Sequence, residues 1–267
     1  MSVQTLYTAA TGMEALETKL DVIANNMANI NTTGFKKDRA NFEDLFYRQQ
    51  RLPGSIDADG NFTSTGIEVG LGTRVSSTQT NHVQGAMQTT DNPLDLAIEG
   101  DGFFKVTTSA NGSFYSRAGN FGINPNGDLV LGSAYKGWVL DPPVNIPQDA
   151  MDIAISSNGQ VEYRVAGQAQ LQTAGQLQIA KFINPDGLLK VGDNLYQETA
   201  ASGTEFLGNP DDPGFGTLSQ GALEASNVEP VTELIDLITT QRAFELNSQV
   251  VQAGDQIMQI AANLRRG

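Results

Sequence analysis

The residues that could carry chemistry in this 267-residue chain are few and badly grouped. His82 is the only histidine and there is no cysteine, so neither a thiolate site nor a multi-histidine metal centre can be assembled. A Ser/His/Asp relay could in principle use His82, but the sequence has no G-x-S-x-G elbow to present the serine. Asp57, Asp59, Asn61 and Glu68 match positions 1, 3, 5 and 12 of a calcium loop. The glycine that such a loop needs for its sharp turn is displaced, with Gly60 too early and Phe62 in its place. A solvated turn is the better reading of that stretch. Gly70-x-Gly72 lacks a third glycine, Val75 standing there instead, and no helix follows it. The expectation is a chain with no catalytic residues, no metal site and no cofactor, and so not an enzyme.

The polar residues that do stand out are amides. Ala24-Asn-Asn-Met-Ala-Asn-Ile-Asn-Thr-Thr-Gly-Phe-Lys-Lys37 places Asn25, Asn26, Asn29 and Asn31 within seven residues. That is a poor composition for a helix interior. One reading is a fraying helix end, closed by Gly34 in the left-handed conformation, with Lys36 and Lys37 complementing the helix dipole. The other notes that Asn25 and Asn29 stand one turn apart beside apolar residues. There their amides could bond to neighbouring helices and fix register, as a buried Asn does in coiled coils.

The elements that would position these amides are long helices at the two ends. Leu6, Ala9, Met13, Leu16, Leu20, Ile23, Met27 and Ile30 are spaced 3, 4, 3, 4, 3, 4, 3, an unbroken coiled-coil seam that predicts a helix over about 3–30. Near the C-terminus, Leu246, Val250, Ala253, Ile257, Ile260 and Leu264 follow the same rhythm. Ser226 or Asn227 is the expected cap of that helix, Pro230 is tolerable in its first turn, and Glu229 and Glu233 sit at the positive end of its dipole. Leu237, Phe244, Val251 and Met258 form a second apolar line about 150° round the same helix, at roughly 100° per residue. Packing on one partner helix needs one stripe. Two stripes predict further partners, and copies of the same chain are the simplest candidates.

Between the helices the period changes to 2. Candidate strands are 94–99, 103–107, 114–118, 129–131, 138–140, 153–156, 161–164 and 177–183, separated by turns such as Asn158-Gly159 and Asn184-Pro-Asp-Gly187. The core candidates are Ile98, Phe103, Val106, Phe121, Leu129, Val139 and Phe182. The expected fold class is α+β: long N- and C-terminal coiled-coil-type helices paired as an inner layer, with a mostly antiparallel β middle domain. The expected division is 1–40 and 226–267 as a discontinuous helical core and 89–206 as the β domain. Residues 41–88 form a connector carrying an extended loop or hairpin at about 49–64, and 207–225 form a return connector.

A net charge of -14, from 30 acidic against 16 basic residues, argues against a nucleic-acid partner. No run approaches the roughly 18 apolar residues of a membrane span, and no basic start followed by an apolar run marks a cleaved signal. A mildly acidic soluble protein is expected, without membrane insertion. Export by a route that reads no such signal stays open.

The sequence resembles the axial proteins of the bacterial flagellum, the rod, hook and hook-associated subunits. Ala24–Lys37 is similar to that family's N-terminal signature, and Ser226-Asn-Val-Glu-Pro-Val through Thr240-Gln-Arg-Ala-Phe-Glu-Leu-Asn-Ser248 to its C-terminal one. Ile98-Glu-Gly-Asp-Gly-Phe-Phe104 and Arg117-Ala-Gly-Asn-Phe-Gly-Ile-Asn-Pro-Asn-Gly127 are similar to motifs shared by rod and hook proteins. The likeness runs from end to end. Hook proteins carry a much larger middle, and the segment Gln49–Ser64 places the chain with rod subunits that bear an extra segment after the first helix.

The resemblance implies a homopolymer in the basal body whose terminal helices form an inner tube, with the β domain outermost. It also implies export through the flagellar apparatus without a cleaved signal. The implied neighbours are proximal rod proteins, the hook protein and the outer ring proteins that act as a bushing. The residues expected to build the helical core are Leu6, Met13, Leu16, Leu20, Ile23, Asn25, Asn26, Met27, Asn29, Ile30, Asn31, Gly34 and Phe35 from the first helix and its turn. From the last helix they are Leu237, Phe244, Leu246, Val250, Val251, Ile257, Met258, Ile260 and Leu264. The rival from another class is a ligand-binding β module or enzyme with helical oligomerisation tails.

Overall fold

A computed structural model of the chain describes residues 3–56, 61–107, 112–132, 136–167 and 170–264. Asp57 and Asp59 of the calcium-like stretch lie outside the described residues, as do Arg265 and Arg266. The architecture is α+β, with a helix at each end and a mostly antiparallel β middle. The chain divides into two compact units, one made of Met1–Met27, Asp38–Gln79 and Glu229–Gly267, the other of Ala28–Lys37 and Thr80–Val228.

In the first unit, helix α1 spans Val3–Ala28 and helix α2 spans Pro230–Leu264. Leu6 meets Gly254, Gly12 meets Asn247 and Asn26 meets Glu233, so one helix advances as the other retreats and the pair is antiparallel. α1 stops two residues short of the expected Ile30, and a turn follows in which Thr32 donates to Asn29 through both its N–H and its hydroxyl. α2 begins later than a Ser226 or Asn227 cap would allow. Pro230 opens the helix, where its missing N–H costs nothing, and the Glu229 carboxylate accepts from Thr232 Oγ1 at 3.0 Å.

The segment 41–88, expected as a connector with an extended loop or hairpin at about 49–64, holds several strands. Asp38–Asp44 pairs with Thr73–Thr80, and Tyr47–Arg51 pairs antiparallel with Ile67–Gly70, Tyr47 opposite Gly70 and Gln49 opposite Glu68. The hairpin continues outward through an Ile56–Phe62 bridge. Gly72, at φ 122°, separates the strand Ile67–Gly70 from the strand Thr73–Thr80. The Gly70-x-Gly72 pair therefore makes a turn against Thr11, where a Cβ on Gly72 would strike the threonine side chain.

The second unit is built on Phe103–Thr107, a strand buried on both faces. It pairs on one side with Ser113–Ser116 and on the other with both Trp138–Leu140 and Ile179–Lys181, so the sheet forks there. Phe104 and Val106 enter the main core with Ile98, Phe121, Leu129 and Leu140, and Phe104 meets Phe121 edge-on at 5.0 Å. On the opposite face Phe103 joins Tyr115, Phe182 and Tyr196 in a smaller aromatic cluster. Six of the seven expected core residues are buried; Val139 is half-exposed, because Trp138 and Leu140 take the inward positions of their strand. Strands also run where a return connector was expected: Thr217–Gln220 pairs with Leu96–Glu99 and Ala222–Glu224 with Met87–Thr89.

Candidate functional site

Two buried polar clusters among the described residues draw on the amide-rich run and the turn after it. In the first unit Asn26, 1% exposed, uses its whole amide. Its Nδ2 donates to the Asp38 carbonyl at 2.9 Å and to Glu233 Oε2 at 3.2 Å, while its Oδ1 accepts from the Asp38 N–H at 2.9 Å. One side chain thus imitates a strand partner for Asp38 and ties the end of α1 to the start of α2. Glu233 is buried in the first turn of α2, where the helix dipole favours its charge.

In the second unit Gly34 has φ +68°, and a Cβ there would lie 2.7 Å from the Arg117 carbonyl carbon and the Ala118 nitrogen. Only glycine fits. Gly34 N–H donates to the Glu224 carbonyl at 2.8 Å. The turn that follows delivers Lys36 into the interior, 1% exposed, where Nζ reaches Glu224 Oε1 at 2.6 Å and the Val83 carbonyl at 2.9 Å. Glu224 Oε1 also accepts from the Gly85 N–H at 2.8 Å. Arg117 Nε pairs with Oε2 at 3.0 Å, off the line of a hydrogen bond. The Arg117 guanidinium donates to the carbonyls of Gly102 at 2.7 Å and Gly100 at 2.8 Å. Burial lowers both the Lys36 ammonium and the Arg117 guanidinium from their usual pKa values, and the Glu224 charge works against it in each. Asn227, expected as a helix cap, instead accepts from the Lys37 N–H and donates to the Asn81 and Val83 carbonyls.

The other expected residues are placed as follows. Ile23 is buried, and Leu6, Met13, Leu16, Leu20 and Met27 are half-buried along α1, with Ile30 half-buried beyond its end. Asn25 and Asn31 are exposed. Asn29 accepts from Thr32 Oγ1 at 3.1 Å inside the turn, and Asn26 bonds across to Glu233 at the start of α2. Phe35 lies under the Lys190 ammonium, 5.2 Å from the ring centre. On α2 the line directed at α1 is Leu237, Phe244 and Val251, all half-buried, with Thr240 and Gly254 buried beside them. Leu246, Val250, Ile257 and Ile260, the stronger seam in sequence, face away from α1; Leu246 is 62% exposed and Ile260 59%. Met258 is exposed as well, and the Leu264 side chain lies outside the described residues.

His82 packs on Phe103 and Tyr196 with ring centres 5.7 and 5.8 Å away, and burial lowers its pKa to about 4. The imidazole is neutral at pH 7. Among the described residues no group of His, Asp and Glu could hold a metal ion.

Family models match three parts of the chain: the flagella basal body rod protein model over residues 6–36, the flagellar hook protein FlgE/F/G D1 domain over 97–163, and the flagellar basal body rod FlgEFG protein C-terminal model over 219–264. The flagellar basal-body rod protein FlgG of Caulobacter vibrioides is 46% identical, over 98% of this chain and 99% of its own length. The chain belongs to the FlgG family of flagellar basal-body rod proteins. The FlgG of Borreliella burgdorferi is 43% identical over 98% of both chains, and that of Bacillus subtilis 41% identical over 98% of this chain and 99% of its own. The Helicobacter pylori flagellar hook protein FlgE2 covers 71% of this chain and 43% of its own, at 16% identity and a TM-score of 0.24. A family member of this kind resides in the flagellar basal body. Two of the family matches meet this site from either end: the N-terminal one ends on Lys36 and the C-terminal one includes Glu224.

Two outcomes check the electrostatics. Glu224→Leu strands two buried cations and is expected to cost about 3–5 kcal/mol in chemical denaturation, as for other broken buried pairs. Loss of less than about 1 kcal/mol would show that the cations find water. For His82, the unfolded imidazole takes up a proton below its usual 6.5 while the folded one resists until about 4. Its contribution to stability is therefore constant above 6.5, declines as pH falls to 4 and is flat below. The melting-temperature gap between wild type and His82→Gln should shift against the wild type across that window; a gap that does not move would contradict the burial.

Proposed function

We propose that the chain is a subunit of the distal rod, polymerising with its own copies into a rigid tubular shaft that carries torque to the hook and lets exported subunits pass. The observation that carries this reading is the outer face of α2. One side of the helix is satisfied by α1; the other holds Leu246, Val250, Ile257 and Ile260 in water. Apolar area of that kind is worth about 25 cal/mol per Å² once covered, which drives association. In the polymer, α1 and α2 pair as the inner, coiled-coil-like layer, the β unit lies outermost, and the helical residues named above form the core of the tube. Proximal rod proteins, the hook protein, the ring proteins and the export apparatus are the expected neighbours.

The hairpin at 47–70 supports the distal assignment over a proximal rod or short hook subunit. It presents Tyr47, Leu52, Ile56, Phe62 and Ile67 outward, with Phe62 78% exposed. A lone two-stranded ribbon with such side chains is marginal in water and gains most by lying on a neighbour. Contacts of this sort between axial neighbours would oppose bending. The enzyme or ligand-binding alternative is left with a neutral histidine in an aromatic cluster and relatives that are named as rod proteins.

Concentrated, purified full-length protein should form long, straight tubes in electron micrographs; a solution that stays monomeric at every concentration would contradict self-assembly. Deleting Gln49–Ser64 should leave tubes that bend. If the shortened chain still makes straight shafts, the stiffening role of the hairpin falls while self-assembly stands.

A further inference from the structure

The second unit holds a cleft of about 190 Å³ that a rod subunit gives no evident use. Its inner walls are buried side chains: the rings of Phe103 and Phe182, 6.0 Å apart and edge to face, and the Arg117 guanidinium, 5.9 Å from the Phe103 ring centre. Its rim is open to water, with Ile183 79% exposed and Lys181 joined to Asp101 at 3.0 Å. His82 closes a further side as a neutral ring. An apolar cavity of about 150 Å³ is enough to hold one benzene, so this cleft has room for a single six-membered ring and a small substituent.

The charges behind these walls do not balance. Lys36 and Arg117 are both buried, and Glu224 is the one buried carboxylate paired with them among the described residues. Lys181 and Asp101 cancel on the rim. Lys190 and Asp186, whose charges also reach His82, cancel each other. One positive charge is left over beside the cleft, and a charge held out of water is costly without a counter-ion. Arg117 also has donors to spare. Of the five N–H groups of a guanidinium, one on each Nη donates to the Gly102 and Gly100 carbonyls and Nε faces Glu224; the other two have no acceptor among the described residues.

We infer that this cleft is a binding site for a small aromatic carboxylate, a class that benzoate represents. The carboxylate takes the spare N–H groups of Arg117 and offsets the surplus charge, while the ring packs on Phe103 and Phe182. The Gly100 and Gly102 carbonyls hold the guanidinium in place before any ligand arrives, so little order has to be gained on binding. Every residue involved lies in the second unit, and the inference stands apart from polymerisation.

The test titrates dilute full-length protein with benzoate, benzamide and acetate and follows backbone amide signals by NMR. Benzoate should bind saturably and move the signals of residues 101–103, 117 and 181–183. Benzamide keeps the ring without the charge, and acetate the charge without the ring. Each should bind about tenfold more weakly or worse, the loss expected for one charged hydrogen-bonded contact or one packed ring. Ile183→Glu and Ile183→Lys change only the sign of a charge on the exposed rim, and circular dichroism verifies that both keep the fold. The first should weaken benzoate several-fold and the second should hold or tighten it. The assignment is overturned if benzoate does not saturate, if benzamide binds as well, if the shifts fall elsewhere, or if the two Ile183 variants act alike. Tube formation by the wild type is a separate result and is untouched by any of these.

Discussion

A straight helix packed on one neighbour hides a stripe of its own circumference about 100° wide, and α2 carries large apolar side chains well beyond that limit. This constraint orders much else in the first unit. α1 takes the face bearing Leu237, Phe244 and Val251, and close approach is possible because Gly254 and Gly12 offer no side chain where the helices touch. What is left over cannot be hidden by the same chain. On the assembly proposed above, that surplus is covered by other copies of the chain.

Polar side chains supply the alignment that apolar burial cannot. Asn26 bonds both backbone groups of Asp38 and reaches Glu233, so sliding α1 against α2 by a turn would break the buried bond between the two helices. In the β unit the same task falls to Glu224, held by Lys36, Arg117 and the Gly85 N–H. Both devices draw one partner from the amide-rich run and another from the stretch before or within α2. A single family signature therefore serves two compact units, each in its own way. That division explains why so many asparagines and glycines are tolerated beside a long helix: their conformational cost is offset by contacts made elsewhere.

Much of this was legible in the sequence, and the failures have physical causes. The heptad spacing from Leu6 to Met27 marked α1, and alternation located Phe103–Thr107, Leu129–Leu131 and Trp138–Leu140 to the residue. Which apolar line of α2 turns inward was not legible, because periodicity gives the angle between two lines and not the identity of the partner. The spacing of Asn25 and Asn29 beside the seam suggested a register role for the run, but the bond of Asn26 to the strand beginning at Asp38 is a contact no local pattern encodes. Gln172–Gln176 and Ala222–Glu224 were missed as strands because they lack alternating large residues, and Glu224 is buried by an ion pair formed across more than a hundred residues. Val139 was misjudged because a three-residue strand has two possible phases and the heavier Trp138 takes the interior.

The surplus of apolar surface on α2 can be probed directly by hydrogen exchange on the full-length protein, dilute and then assembled. Amides of residues 246–260 should exchange quickly in a dilute, solitary copy and become protected by several orders of magnitude once copies associate, while the β strand Phe103–Thr107 is protected in both states. Strong protection of 246–260 in a copy that remains solitary would mean that one chain can bury this helix unaided, and the account of α2 as an assembly surface would be wrong.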